Sequence, residues 1–523
     1  MNKKLIVIIS VTLVVLIAGG TAAFLLLRDR DRDRDRDSGE DEFLPTDLQI
    51  DADSLKPAKL TFYFNDTNYG NSSEQDVLKA VNSKLKNELN TEIQFEFVGK
   101  STETYLADVK ADIASGLPCD AIYFSEYFPV KLETLANEGY VADLTELFPQ
   151  NAPNYYKQFS QDDIDAIKVK GKVYAVPARI PNAYRTCAIV RQDLMEKYNI
   201  PEIKSYADYE VFLKTIKEKE PDMIPMVYND TTIGLFADSY GYVTLDYQLG
   251  LVYKWDDPEV KIQAWEQTPV FKDCLNRIKN WKDNGYLTKN DRSLGTAQIN
   301  QGMVISGRWA SFIGRLGEHF NYNVAVRARG ITDWSYKAYQ LTGGFSARIT
   351  PLENGVVINA KSPNAERVLM FIDWLESSPE NYDLYMYGVK GKHYIERGDY
   401  IEPPEGLSID FTFFSWTWKP PFRNIDYERT NTPGLKAEAA QYYDIIREKT
   451  KYPPLNGFRP DYSTMDSIRS LRQSSFSDMD RSVYTGEYDE SKVDAYIKEQ
   501  KNAGVDNLVA EVQRQVDQFR ADH

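Results

Sequence analysis

Between Leu5 and Leu27 the chain carries no charged side chain over 23 residues. As a helix rising about 1.5 Å per residue, that run reaches about 34 Å, enough to cross the hydrocarbon core of a bilayer. Ala18, Gly19, Gly20 and Ala22 offer small residues of the kind found at a leader cleavage site. Phe24 to Leu27 continue the apolar run beyond them, which favours a retained transmembrane anchor over residues 1–27. Arg28 to Asp37 then alternates Arg and Asp, and Ser38 to Glu42 continues as an acidic linker. So solvated a sequence buries nothing, and residues 28–56 read as a flexible charged stalk. Charge counting leaves orientation open. Lys3 and Lys4 favour a cytoplasmic N-terminus, but five Arg flank the other end and Asp cancels them weakly. No Cys directly follows the apolar run, which excludes diacylation through a lipobox Cys.

About 480 residues remain after these segments, enough for two or more lobes that each bury a core. A net charge of -16, with no basic stretch, argues against a nucleic-acid binder. Cys119, Cys187 and Cys274 form no CxxC pair, and the only histidines are His319, His393 and His523. A disulfide framework, a metal site and a cofactor are therefore not expected. The 35 Tyr and 8 Trp are many for a cytosolic enzyme. Their flat faces with a polar edge suit carbohydrate recognition, and they equally suit two cores and a seam between them.

Hydrophobic spacing places a buried strand at Leu60–Phe64 and a helix over Glu74–Leu89, with Val77, Leu78, Val81, Leu85 and Leu89 in one stripe. Ile93, Phe95 and Phe97 alternate with polar residues as a strand does, Tyr105–Ser115 reads as a helix, and Ala121–Phe124 as a third strand. That order implies a parallel sheet flanked by helices, an α/β architecture. Ligands of such sheets bind beyond the carboxyl ends of the strands, so the loops after Phe64 and Phe124 become site candidates. Val493, Tyr496 and Ile497 mark a helix that stops near Gly504, and Val505, Leu508, Val509, Val512, Val516 and Phe519 mark another. Residues 402–429 are rich in Pro and aromatics and read as irregular, and residues 451–481 show no clear period.

Several segments, in order, carry a family likeness: Asp112-Ile-Ala-Ser-Gly116, Asp120-Ala-Ile-Tyr-Phe124, Leu135-Ala-Asn-Glu-Gly-Tyr-Val-Ala-Asp-Leu144 and Gly171-Lys-Val-Tyr-Ala-Val-Pro177. Val190-Arg-Gln-Asp-Leu-Met-Glu-Lys-Tyr198, Gly302-Met-Val-Ile-Ser-Gly-Arg-Trp309, Ser362-Pro-Asn-Ala-Glu-Arg-Val-Leu-Met-Phe371, Tyr387-Gly-Val-Lys-Gly-Lys-His-Tyr394 and Asn502-Ala-Gly-Val505 follow. Together they resemble family 1 extracellular solute-binding proteins of ABC importers, in particular the LipO-like Gram-positive subfamily. The resemblance runs from about Leu60 to the C-terminus, and departs from the subfamily in lacking the lipobox Cys. It implies a two-lobed periplasmic-binding-protein-like fold of type II, with a hinge of crossing strands. Lobe one is then expected over 57–180 plus 352–400, and lobe two over 181–351 plus 401–523 with a helical C-terminal extension. The crossings are expected near Ile180–Tyr184, near Ala347–Leu352 and around 400–410. The resemblance also sets the globular part outside the cell and implies a small polar ligand, an ABC permease as partner and no catalysis. A ligand-sensing subunit for a membrane histidine kinase, and an extracellular glycan hydrolase or lyase, are the alternatives.

Trp309 is the leading ligand candidate, because related sugar binders present an aromatic from the corresponding segment. Stacking on a sugar is one reading of it and a core side chain the other; on the first, Trp309→Ala weakens binding with little loss of fold. Arg308 beside it offers a forked donor. Asn65, Asp66 and Asn68 after the first strand, and Ser125 and Glu126 after the third, offer short polar groups that pair with hydroxyls. Tyr184 and Arg185 fall at the expected hinge, Asn229 after another apolar stretch, and Trp416 with Trp418 form an aromatic wall or a packing plug.

Overall fold

The computed structural model describes residues 52–65, 72–99, 101–126, 128–180, 183–184, 186–227, 237–246, 249–287, 306–327, 329–341, 346–348, 351–376, 378–407, 418–430, 435–462, 464–485 and 489–522. The anchor and nearly all of the stalk lie outside them. Among the described residues no helix is long and apolar enough to cross a membrane.

The N-terminal lobe begins with β1 (Ala58–Asn65), α1 (Ser72–Leu89), β2 (Thr91–Val98), α2 (Thr102–Ala114) and β3 (Ala121–Phe124). β1 runs parallel to both β2 and β3, with Leu60 opposite Ile93 and Phe62 opposite Ala121. β1 lies between β2 and β3, so neighbouring residues on both of its faces are buried and Leu60–Phe64 is apolar but for the buried Thr61, without alternating. In α1 the buried Val77, Val81, Leu85 and Leu89 recur every four residues and so share the face turned to the sheet. After α2 the chain turns at Gly116, whose φ of +79° is open to glycine at little cost. Two later segments complete the sheet: Gly355–Ile358 runs antiparallel to β3, and Ala175–Pro177, antiparallel in turn to Gly355–Ile358, runs in the same sense as β1 to β3. The sheet is therefore mixed, where the sequence suggested a parallel one.

A second core is built on an antiparallel three-stranded sheet with Thr186–Arg191 in the middle, between Ser311–Arg315 and Tyr336–Gln340. Helices Tyr206–Lys219 and Phe271–Asp283 pack their apolar stripes into this core. Beside it, strands Tyr242–Asp246 and Leu251–Lys254 form a smaller core with Leu455, Phe458 and the helix Val505–Asp522.

The chain passes between the two cores in three places, and the three passes pair with one another. Ala347 pairs with Tyr184 and also with Lys451, in a sheet of Ala183–Tyr184, Ser346–Arg348 and Thr450–Lys451. The third crossing is thus at residues 450–451, not around 400–410. Its displacement has a packing cause. Ile401, Trp418 and Phe422 are buried in the first core, where the Phe422 ring meets Phe62 at 6.0 Å and Phe371 at 5.9 Å. Burying those rings there holds residues 418–425 on the N-terminal lobe, where Arg179 and Arg423 are joined through the backbone at 2.9 Å.

Candidate functional site

At the carboxyl edge of the first sheet, the ends of β1 and β3 lie beside Pro177–Arg179 and residues 352–355. The polar residues described there are mostly occupied in shaping the edge itself. Asn65 donates from Nδ2 to the carbonyls of Gly99 (3.0 Å) and Ser101 (3.1 Å), tying the end of β1 to the turn before α2. Ser125 donates from Oγ to the carbonyl of Glu353 at 2.6 Å, and the Tyr123 hydroxyl donates to Asn354 at 2.6 Å. Both bonds join β3 to the loop leading into Gly355–Ile358. Each therefore positions backbone, and neither side chain is left with its full bonding capacity for a ligand.

Glu126 is different. Its carboxylate, 12 % exposed, accepts from Nε of Arg459 at 3.3 Å. Glu133, on the short helix Leu132–Asn137, shares this neighbourhood. Burial first, and then the Glu126 carboxylate, push its carboxyl above the usual range, while Arg459 pulls it back. Arg459 was not foreseen: it follows no periodic segment, and only its position against Glu126 marks it.

Trp309 does not stand at this edge. It is 1 % exposed and lies in a core with Cys187, Ile189, Val227, Phe312, Val326 and Tyr336. Its backbone bridges to Ile224, and its carbonyl accepts from the Tyr336 hydroxyl at 3.1 Å. A stacking platform needs an open face, and in this arrangement the Trp309 indole offers none. Arg308 beside it is exposed. Trp418 is likewise a packing residue, 5.0 Å from Phe95 in the first core, with Nε1 directed at the Tyr385 carbonyl. Tyr184 is described only in its backbone, on the first crossing. Asp66, Asn68, Arg185, Asn229 and Trp416 lie outside the described residues.

Across the crossing sheet, the helix Leu435–Lys449 carries Tyr442, whose hydroxyl donates to the Leu316 carbonyl at 3.2 Å. Its ring lies so close to Gly317 that a Cβ there would fall 2.4 Å from it. The neighbouring Tyr443 faces Arg423 and Glu428 of the N-terminal lobe. One helix thereby touches both sides of the crossing. Among the described residues, no group of three or more His, Cys, Asp or Glu is placed to hold a metal ion. Cys119, Cys187 and Cys274 are buried free thiols.

Two α/β lobes joined by three crossing strands define the class of two-lobed binding proteins. The same fold is seen in the N-glycan transport solute-binding protein NgtS of Streptococcus pneumoniae, with a TM-score of 0.70 and 21% identity, covering 89% of this chain and 99% of that one. The family model described as bacterial extracellular solute-binding protein matches residues 69–382, and the chain belongs to that family. A second model, a domain of unknown function (DUF3502), matches residues 454–521. A carbohydrate ABC transporter substrate-binding protein of S. pneumoniae serotype 4 is 23% identical over 451 residues, 85% of this chain and 88% of that protein. Lipoprotein LipO of Bacillus subtilis strain 168 is 25% identical over 260 residues, 46% of this chain and 50% of its own length, in keeping with the subfamily read from the sequence motifs.

Proposed function

We propose that this chain captures a carbohydrate, specifically an oligosaccharide, between its two lobes and delivers it to the permease of an ABC importer. The observation that carries the reading is the match over 451 residues to a relative named for carbohydrate ABC transport. The likeness of fold to an N-glycan transport protein supports it. Asp66, Asn68, Glu126, Arg185, Asn229, Arg308 and Trp416 are the proposed ligand-contacting residues, with Tyr184 at the crossing. Asn65, Ser125, Trp309 and Trp418 act behind them, as supports of the lobes. Ligand contacts made only when the lobes approach favour the closed state and drive the hinge. Residues 5–27 anchor the protein to the outer face of the membrane, and the Arg-Asp stalk holds the lobes clear of it.

A thermal-shift screen of residues 43–523 against glycans, with peptides as the contrasting set, tests the assignment. A ligand at about a hundred times its Kd adds about 2.7 kcal/mol of stability and raises the melting temperature. Oligosaccharides should produce the shift. A shift with peptides and none with any glycan would refute the carbohydrate assignment.

A further inference from the structure

After the third crossing at Thr450–Lys451 the chain does not leave the N-terminal lobe at once. The Tyr452 hydroxyl donates to the carboxylate of Asp163, which lies on the helix Gln161–Asp165 of that lobe. Gly457 follows with φ +80°, and a Cβ placed on it would sit 3.6 Å from the Asp165 carbonyl oxygen. Arg459 then reaches Glu126. The same short segment is rooted in the other lobe. Leu455 and Phe458 are buried with Leu251, Tyr253, Val512 and Val516, and the Phe458 ring meets Phe519 at 5.3 Å. Asp461 and Gln515 exchange two hydrogen bonds, of 2.7 and 2.9 Å, which pin the end of the segment to the helix Val505–Asp522.

We propose that residues 452–459 are a strap between the lobes and that Arg459–Glu126 is its latch, limiting how far the lobes swing about the crossing strands. Three crossing strands paired in one narrow sheet leave a hinge free to bend, whereas a further tie outside that sheet resists bending. Arg459 suits this role because its guanidinium keeps its charge and offers several donors in a fixed plane. It faces Glu126 and Glu133 together, so either carboxylate can hold it as the lobes shift. This assigns a mechanical task to the matched C-terminal domain: it carries the lobe-two end of the latch. The proposal is independent of the ligand's identity, and its test needs no ligand.

The test uses the full chain with cysteines introduced at Asp108 and Lys214, exposed positions on the two lobes, carrying spin labels. The three native cysteines are buried and should resist labelling. Pulsed dipolar spectroscopy then reads the distribution of distances between the lobes. Arg459→Ala should broaden that distribution, or shift its mean by more than the wild-type width. The double variant Glu126→Gln with Glu133→Gln should do the same while preserving shape, and it carries the test should Arg459→Ala not fold. Arg514→Ala, which breaks only an ion pair within one helix, serves as the control and should leave the distribution unchanged. Superimposable distributions for wild type and Arg459→Ala, or for wild type and the double variant Glu126→Gln with Glu133→Gln, would overturn the proposal.

Discussion

At the scale of single residues, burial decides roles that residue type alone leaves open. Trp309 has the composition and position of a sugar-stacking aromatic, and its segment fits that reading. Its surroundings make it a core side chain, so Trp309→Ala should cost about 3–5 kcal/mol of stability, as core aromatic truncations do. Chemical denaturation measures this, and an unchanged midpoint would show that the indole is not packed as described. Sequence gave no means of telling the two readings apart, because an exposed platform and a buried indole follow the same Gly-Arg pair. Glu376 is a second case. It is buried, with one carboxylate oxygen accepting from Asn424, and burial pushes its carboxyl up to about 8. In the unfolded chain its pKa returns to about 4.5. Between those values the folded state keeps a proton that the unfolded chain releases. The resulting stability is complete below about pH 4.5 and is lost as pH rises through 8, by an amount on the order of 5 kcal/mol. Glu376→Gln should remove this fall, as seen by comparing denaturation midpoints of the two proteins at pH 5 and pH 8.

Elements were legible where their inner face is uniformly apolar. β1, α1, β3 and the helix Val505–Asp522 fall within a few residues of their expected spans, because the two helices repeat Leu and Val at the helix period and the two strands are short, largely apolar runs. The helix Asp466–Thr485 was not legible, and the reason is visible in its buried face. That face holds Ile468 and Met479, with Met465 just before the helix, but Arg472 stands in the middle of it. Arg472 is 1 % exposed and forks onto Glu266, itself fully buried, at 2.6 and 2.9 Å, with Gln500 a further acceptor at 3.1 Å. A charge in the stripe hides the period, and only a partner more than two hundred residues away makes it tolerable. Arg472→Met should therefore destabilise the protein by about 3–5 kcal/mol, since Glu266 stays buried without its cation. Adding Glu266→Met should recover part of the loss. A double-mutant cycle in denaturant checks this, and purely additive losses would argue against the pair.

At the scale of the molecule, the two lobes and their crossing strands are the frame on which ligand capture depends. The family was readable from ordered motifs spread over most of the chain. The third crossing was not, because Trp418 and Phe422 join the N-terminal core through contacts with Phe95, Phe62 and Phe371 that no local pattern announces. That the ends of β1 and β3 share one edge of the sheet follows from strand order, whereas Arg459, which meets Glu126 there, comes from the far end of the chain. On the proposed function, an oligosaccharide is held between lobes that close upon it. Small-angle X-ray scattering of residues 43–523, with and without a glycan that stabilises the protein, tests this directly. A smaller radius of gyration with the glycan bound, and the glycan recovered intact, is the expected result. An unchanged radius at saturation, or release of cleaved sugar, would contradict it.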